Sequence, residues 1–282
     1  MLDRSEVGKR GYLNEGFRLF HLKDSRAQKL DYHYHEFDKL ILLLSGKVTY
    51  VIEGVTYFLR PWDILLVQHD MIHRPIIDPS EPYERIVLWL NRDWIKTHSF
   101  PNAALDSCFD TVHTRGFHLL RTSAEQRLQY MQFFRQMEES LNSSEFGAQQ
   151  LSELLCQQIM ISINRDVLSS RTAQEEQDSY RIDPKIEEIR RYIADHLTED
   201  LSVDTLSKTF FLSRYYLMHR FKDVTGYTLH QYISQKRLLL AGELIRSGTP
   251  VMKAAETAGY TEYSTFLRAF QNTFHMSPKE FR

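Results

Sequence analysis

Cysteine is nearly missing from this chain. Two residues in 282, Cys108 and Cys156, are too few for a disulfide framework, and they point to a reducing compartment. No apolar run approaches the ~20 residues that a membrane helix requires; the longest, around Leu40–Leu44, is far shorter. The N-terminus has no apolar core followed by small residues, so no secretion signal is expected and the chain reads as cytoplasmic, without a membrane partner. A strong charge of either sign is lacking too, since the net charge is −2. Residues 183–282 hold 14 Lys and Arg against 12 Asp and Glu, an excess of two that leaves −4 to the rest. Any nucleic-acid contact must therefore rest on where cations sit, not on how many there are. No nucleophile elbow, phosphate loop or CxxC pair occurs, so no enzyme is expected.

What is present divides the chain. At 282 residues it suits two domains better than one. From Gly16 to about Leu90 the text is strand-like: Phe17–His21, Leu40–Leu44, Lys47–Glu53, Thr56–Leu59, Asp63–Gln68 and Glu84–Leu90 are rich in β-branched, aromatic and leucine residues. Ser45-Gly46, Glu53-Gly54 and Arg60-Pro61 punctuate them as turns. Many short, closely spaced strands predict a barrel or jelly roll. Two amphipathic helices are expected next, Ser123–Leu141 and Gln150–Leu168, joined as a hairpin near Asn142–Ser144. Residues 169–181 are polar and lack a core face, as a linker does. Asp183-Pro184 then opens a helix with an N-cap and a proline at the first helical position.

Two short helix–turn–helix patterns follow. The first joins Leu201–Thr209 to Ser213–Thr225, with Ser213 as N-cap; the second joins Val251–Ala258, ending at Gly259, to Glu262–Phe274. A longer amphipathic run, Thr228–Ser247, separates them, and its twenty or so residues would span about 30 Å at ~1.5 Å each. That length is close to the ~34 Å between successive major-groove faces of B-DNA. Leu217 and Phe221 fall one turn apart and face the core, which leaves Arg214, Tyr215, Met218, His219 and Lys222 outside. In the last helix Phe266 and Phe270 are core, while Tyr263, Ser264, Leu267 and Arg268 point out. Arg268 is the best candidate for a guanine or phosphate contact. Met218 and Leu267 suit thymine methyls, and Arg214 and Lys222 suit phosphates.

The residues Leu217, Phe221, Lys222, Thr225, Gly226, Tyr232, Arg237 and Ala241, continued by Gly259, Tyr260, Ser264, Phe266, Arg268, Phe270, Ser277, Pro278 and Arg282, keep an order and spacing that closely resembles the AraC/XylS family of transcription regulators. The run from His33 to Pro75 looks like the cupin half-barrel of AraC-type sensors, with His33, His35, the Gly46 turn, the Pro61–Asp63 corner and His73 in place. The resemblance implies an α+β multidomain chain: a cupin-like β-barrel (jelly roll) with a helical hairpin, then an all-α domain of two helix-turn-helix units. It implies an effector-binding and dimerising domain at 1–168, a linker at 169–182 and a DNA-binding domain at 183–282. The implied partners are double-stranded promoter DNA, RNA polymerase, a small carbohydrate-like effector and a second copy of the chain, with activation the expected outcome. By the family pattern Tyr215, Met218 and His219 reach base edges, and Arg237 ties the two units together. Four departures stand out: Lys39 where metal-binding cupins have Glu, Trp62 at a corner glycine, His219 for a frequent Arg, and His275 for a glycine.

The expected effector site combines Tyr50, Trp62 and Trp89 as walls with His33, His35, Lys39 and His73 as polar tips. Alternation puts His33, His35, Phe37 and Lys39 on one face. An ammonium there repels a divalent ion and attracts an anion, so no metal or other cofactor is the first reading, and an acidic sugar is favoured. The alternative stays open: His33, His35 and His73 are a set that holds Zn²⁺ or Fe²⁺ in a metal-dependent or metal-sensing cupin.

Overall fold

The computed structural model describes residues 8–9, 11–24, 30–169, 180–274 and 276–281. Two compact units emerge, the larger from Arg10–Ile52 and Tyr57–Tyr180 and the smaller mainly from Arg181–Arg282. Of the expected linker at 169–182, residues 170–179 lie outside the described residues, as does His275.

After a two-residue strand β1 (Gly8–Lys9) come β2 (Phe17–Asp24), β3 (His33–Tyr34), β4 (Asp38–Ser45), β5 (Val48–Ile52), β6 (Val55–Phe58), β7 (Ile64–Val67), β8 (His73–Ile77) and β9 (Tyr83–Leu90). One sheet runs β10-β7-β4-β9-β2, where β10 is Leu119–Leu120, and the other contains β3-β8-β5-β6 in that order. From β3 to β9 the chain mostly switches sheet at each step, so the strands form the two faces of a jelly roll and do not close into one ring. A further short strand, β11, is Tyr180–Arg181.

Local chemistry explains the turns. Glu53 (φ 49°) and Gly54 (φ 85°) are both left-handed, as the tight β5–β6 hairpin requires. Trp62, at the corner where glycine is usual, is held at φ 75°, a conformation that costs a bulky residue energy. The corner survives because Trp62 donates its N–H to the Leu43 carbonyl at 2.6 Å and its carbonyl accepts the Thr122 hydroxyl at 2.7 Å.

Alternation sorts the five-stranded sheet. Leu40, Leu42, Ile64, Leu66, Ile86, Leu88 and Leu90 face a core cluster completed by helices. Those helices are α1 (Arg92–Thr97), α2 (Ser107–Arg115), α3 (Ala124–Leu141) and α4 (Ala148–Ser169). The intervening residues Lys39, Ile41, Leu43, Arg85, Val87 and Trp89 point to the inner face. The α3–α4 hairpin carries two apolar stripes. Tyr130, Phe134, Met137, Leu155, Ile159 and Ile163 are buried, whereas Leu128, Met131, Leu141, Leu151, Leu154 and Ile161 are exposed.

The smaller unit is helical: α5 (Pro184–Asp195), α6 (Val203–Thr209), α7 (Arg214–Thr225), α8 (Leu229–Arg246), α9 (Val251–Thr257) and α10 (Tyr263–Phe274). The expected caps form, since Asp183 accepts from the N–H groups of Lys185 and Ile186, and Ser213 from that of Tyr216. Ile186, Ile189, Leu206, Leu217, Phe221, Phe266 and Phe270 are each at most 2% exposed and define its core. No helix among the described residues is long and apolar enough to cross a membrane.

Candidate nucleic-acid interface and ligand site

Each helix-turn-helix unit is built by burying one face of its second helix. On α7, Leu217, Phe221 and Thr225 go inward, and Gly226 closes the helix in the left-handed conformation at φ 82°. Arg214, Tyr215, Met218, His219 and Lys222 are therefore all exposed. The rings of Tyr215 and His219, one turn apart, lie 4.1 Å between centroids. Arg214, itself exposed, pairs its guanidinium with the exposed Asp204 carboxylate of α6. Lys222 is thus the better phosphate ligand on this helix. Phe211, in the turn at φ 55°, is 93% exposed and was not singled out from the sequence.

On α10, Phe266, Phe270 and Phe274 are buried, and Tyr263, Ser264 and Arg268 are exposed. Leu267 is half-buried, because it follows Phe266 and leans over the edge of the core rather than standing clear of it. The turn before α10 depends on Gly259 at φ 87°. A β-carbon there would meet the Leu197 carbonyl oxygen at 2.6 Å and the Arg237 guanidinium at 2.9 Å. Arg237, on α8, donates to the carbonyls of Leu197 and Glu199, both at 2.8 Å. It thereby ties the rod to the segment before α6, with the Gly259 turn of the second unit packed against its guanidinium. α8 itself has 18 residues, with a capping box between Thr228 and Gln231, and so spans about 27 Å.

In the larger unit three imidazoles converge. His33 of β3 pairs directly with His73 of β8, and His35 follows two residues on. Their ring centroids are 4.5 to 5.1 Å apart, and all three are buried. His33 and His73 each donate Nδ1–H to a backbone carbonyl, of Asp31 and Met71, at 2.9 Å. His35 stacks on Phe37, and Phe37 stacks on Trp89 at 4.3 Å. Lys39 lies opposite Trp89 in the strand register, with Nζ 3.5 Å from His35 Nε2. Burial of its ammonium among protein atoms, and then the Arg85 charge, bring the Lys39 pKa down to about 7, although part of the side chain stays open to solvent. Burial also depresses His73 well below the usual histidine range, helped by Lys39 and the other two histidines.

Of the expected effector residues, His33, His35, Lys39, His73 and Trp89 share this place. Tyr50 is buried with Tyr83 instead: its hydroxyl bonds that of Tyr83 at 2.9 Å, and Arg85 lies over the Tyr83 ring at 4.1 Å. Trp62 is not with them, since it packs on the cluster beneath the helices. Arg85 and Tyr83 were missed. Their signal was alternation along β9, where Tyr83, Arg85, Val87 and Trp89 share one face.

Comparison with known proteins places both parts. The model described as an AraC-like ligand binding domain matches residues 19–158, and that described as a helix-turn-helix domain matches residues 206–282. The chain is 36% identical over 98 residues to the regulatory protein SoxS of Escherichia coli (strain K12), covering 34% of this chain and 92% of SoxS. It is 24% identical over 253 residues to the HTH-type transcriptional activator RhaS of Enterobacter sp. (strain 638), covering 89% of this chain and 86% of that protein. Among solved structures, unsaturated fatty acid bound ToxT of Vibrio cholerae is similar at 14% identity over 96% of each chain, with a TM-score of 0.37.

Proposed function

The chain belongs to the AraC family, DNA-binding transcription regulators with a ligand-binding domain, and from that premise we propose an effector-controlled activator that reads two successive major-groove faces of a promoter. The observation that carries this reading is the pair of second helices, α7 and α10. Both bury three residues of one face and leave the polar and aromatic residues of the other in solvent. Tyr215, Met218 and His219 on α7, and Tyr263, Ser264 and Arg268 on α10, contact base edges, while Lys222 holds phosphate. Arg214 orients α7 through Asp204.

The working division is residues 1–168 for effector binding and dimerisation, 169–182 as linker and 183–282 for DNA. The effector is small, oxygen-rich and anionic, such as a sugar acid. Stacked Phe37 and Trp89 offer an apolar wall, and Lys39, opposite Trp89 in the strand register, sets its amine beside it; Arg85, further along β9, is paired with Asp24. Tyr50 and Tyr83 add a hydroxyl pair in the same domain. Dimerisation uses α4, on which Leu151, Leu154, Gln158, Ile161, Arg165 and Leu168 are all exposed and recur at alternating spacings of three and four. That is the seam of a coiled coil, self-complementary under a two-fold axis. Activation follows when the dimer recruits RNA polymerase, a role in keeping with the activator RhaS among its relatives.

Footprinting on the promoters next to the chain's own gene, with and without aldonic and uronic acids, tests the whole reading. Protection over two adjacent helical turns, strengthened or shifted by one acid, is expected. No protected promoter site would remove the DNA reading. Protection indifferent to every acid would remove the effector reading alone.

A further inference from the structure

The three imidazoles hold more than a binding wall. His73 is fully buried, and its Nε2 has no hydrogen-bond partner. Its Nδ1–H is committed to the Met71 carbonyl, so the orphaned Nε2 is an unprotonated lone pair in the protein interior. Leaving such an acceptor unpaired is costly, and a water or an ion is what ordinarily satisfies one. His33 repeats the arrangement, with Nδ1–H bound to the Asp31 carbonyl. A backbone carbonyl on one ring nitrogen is what fixes the tautomer of a metal-ligating histidine and raises the basicity of the other.

We propose that His33, His35 and His73 form a three-histidine site for a borderline divalent transition ion, Zn²⁺ or Fe²⁺, inside the ligand-binding domain. The donor set excludes Mg²⁺ and Ca²⁺, which require oxygen ligands. Among the described residues this is the group whose geometry suits an ion: one nitrogen from each lies within 4.8 Å of the others. Three nitrogens at ~2.1 Å from a tetrahedral ion would be about 3.4 Å apart, so modest ring rotations close the site. Three protein ligands leave a position open.

Lys39 replaces the carboxylate that would complete the set. Its Nζ, 3.5 Å from His35 Nε2, competes with the ion for that lone pair. The site therefore lacks a fourth protein ligand, and the charge of the ion favours an anionic oxygen in the open position. That last step rests on the effector reading above; metal binding itself does not.

The test uses tag-free full-length protein, chelator-treated and then titrated with Co²⁺ alone, without effector or DNA. One equivalent is expected, with the intense visible absorption of a tetrahedral nitrogen site. Three exchangeable, hyperfine-shifted imidazole N–H proton signals should appear in the wild-type Co²⁺ protein, a count that needs no variant. His73→Asn should weaken binding at least ~10-fold, since changes even to groups behind the ligands cost that much. Lys39→Met should tighten it. Absence of stoichiometric Co²⁺ from folded wild-type protein overturns the site, as does binding without the three imidazole signals. If Co²⁺ binds but sugar acids do not alter its spectrum, the effector reading fails and the metal site stands.

Discussion

Arg237 shows how much one side chain can decide. Its guanidinium donates to two carbonyls, Leu197 and Glu199, that nothing short of a planar fork reaches together. Arg237→Ala should lower the unfolding free energy by ~2 kcal/mol in urea melts, the order of charge-assisted hydrogen bonds to a partly exposed group. Arg237→Lys should recover less than half of it. Gly259→Ala should be at least as harmful, because a β-carbon would press on the Leu197 carbonyl at a positive φ. Asp63 gives a pH signature. Its carboxylate accepts the Arg60 N–H at 2.8 Å, yet burial, the larger effect, raises it above the ordinary 3.8. A raised acid contributes stability below its unfolded value and loses it as pH rises through the folded one. The stability difference between Asp63→Asn and wild type should therefore move in favour of the variant from pH 4 to pH 7. A flat difference across denaturation curves at those pH values would show that Asp63 is not desolvated. Such residue-level facts were half legible. Gly259 and Arg237 stood out by position. Arg85 did not, because a charged residue in a strand reads as outward until the register shows which face is inside.

At the scale of elements, what a helix buries on one side determines what it offers on the other. Arg268→Ala should cost roughly 1–3 kcal/mol on the cognate site, and Lys222→Ala should weaken binding evenly across sequences and reduce the salt slope by about one. Both are read by fluorescence anisotropy at several salt concentrations. Arg214→Ala should behave differently, loosening α7 from α6 and lowering thermal stability, because its charge is already paired with Asp204. On the α3–α4 hairpin, Leu154→Arg should convert the proposed dimer to monomer in sedimentation while leaving the melting temperature of the unit unchanged, since Leu154 is 62% exposed. Caps such as Ser213 and Asp183 were readable because capping is chemistry between neighbours. The two stripes of α4 were not separable by period alone, since Leu151 and Leu155 both recur every third or fourth residue. α2 went unread because only Cys108, Phe109 and Val112 of its nine residues are buried. Pro75 disguised β8, a residue that cannot donate to a ladder.

For the molecule as a whole, the decisive quantity is the length of α8. A flexible tether between two helix-turn-helix units would tolerate changes in operator spacing, at an entropic cost that grows slowly with distance. An 18-residue capped helix does not stretch. Its middle is pinned by Arg237, and its C-terminal half buries Ala241, Gly242 and Ile245, with the Phe281 ring 3.2 Å from where a β-carbon on Gly242 would stand. Inserting five base pairs between the two contacted turns rotates the second by about half a helical turn and should abolish its contacts. Inserting ten restores the face but moves it ~34 Å further along the axis, more than the whole ~27 Å rod. Both insertions should therefore reduce binding to that of one unit alone, and the ten-base-pair operator should fare no better than the five. Recovery at ten base pairs in a gel-shift series would mean that the two units move independently, and that the rod does not set the reading frame on DNA.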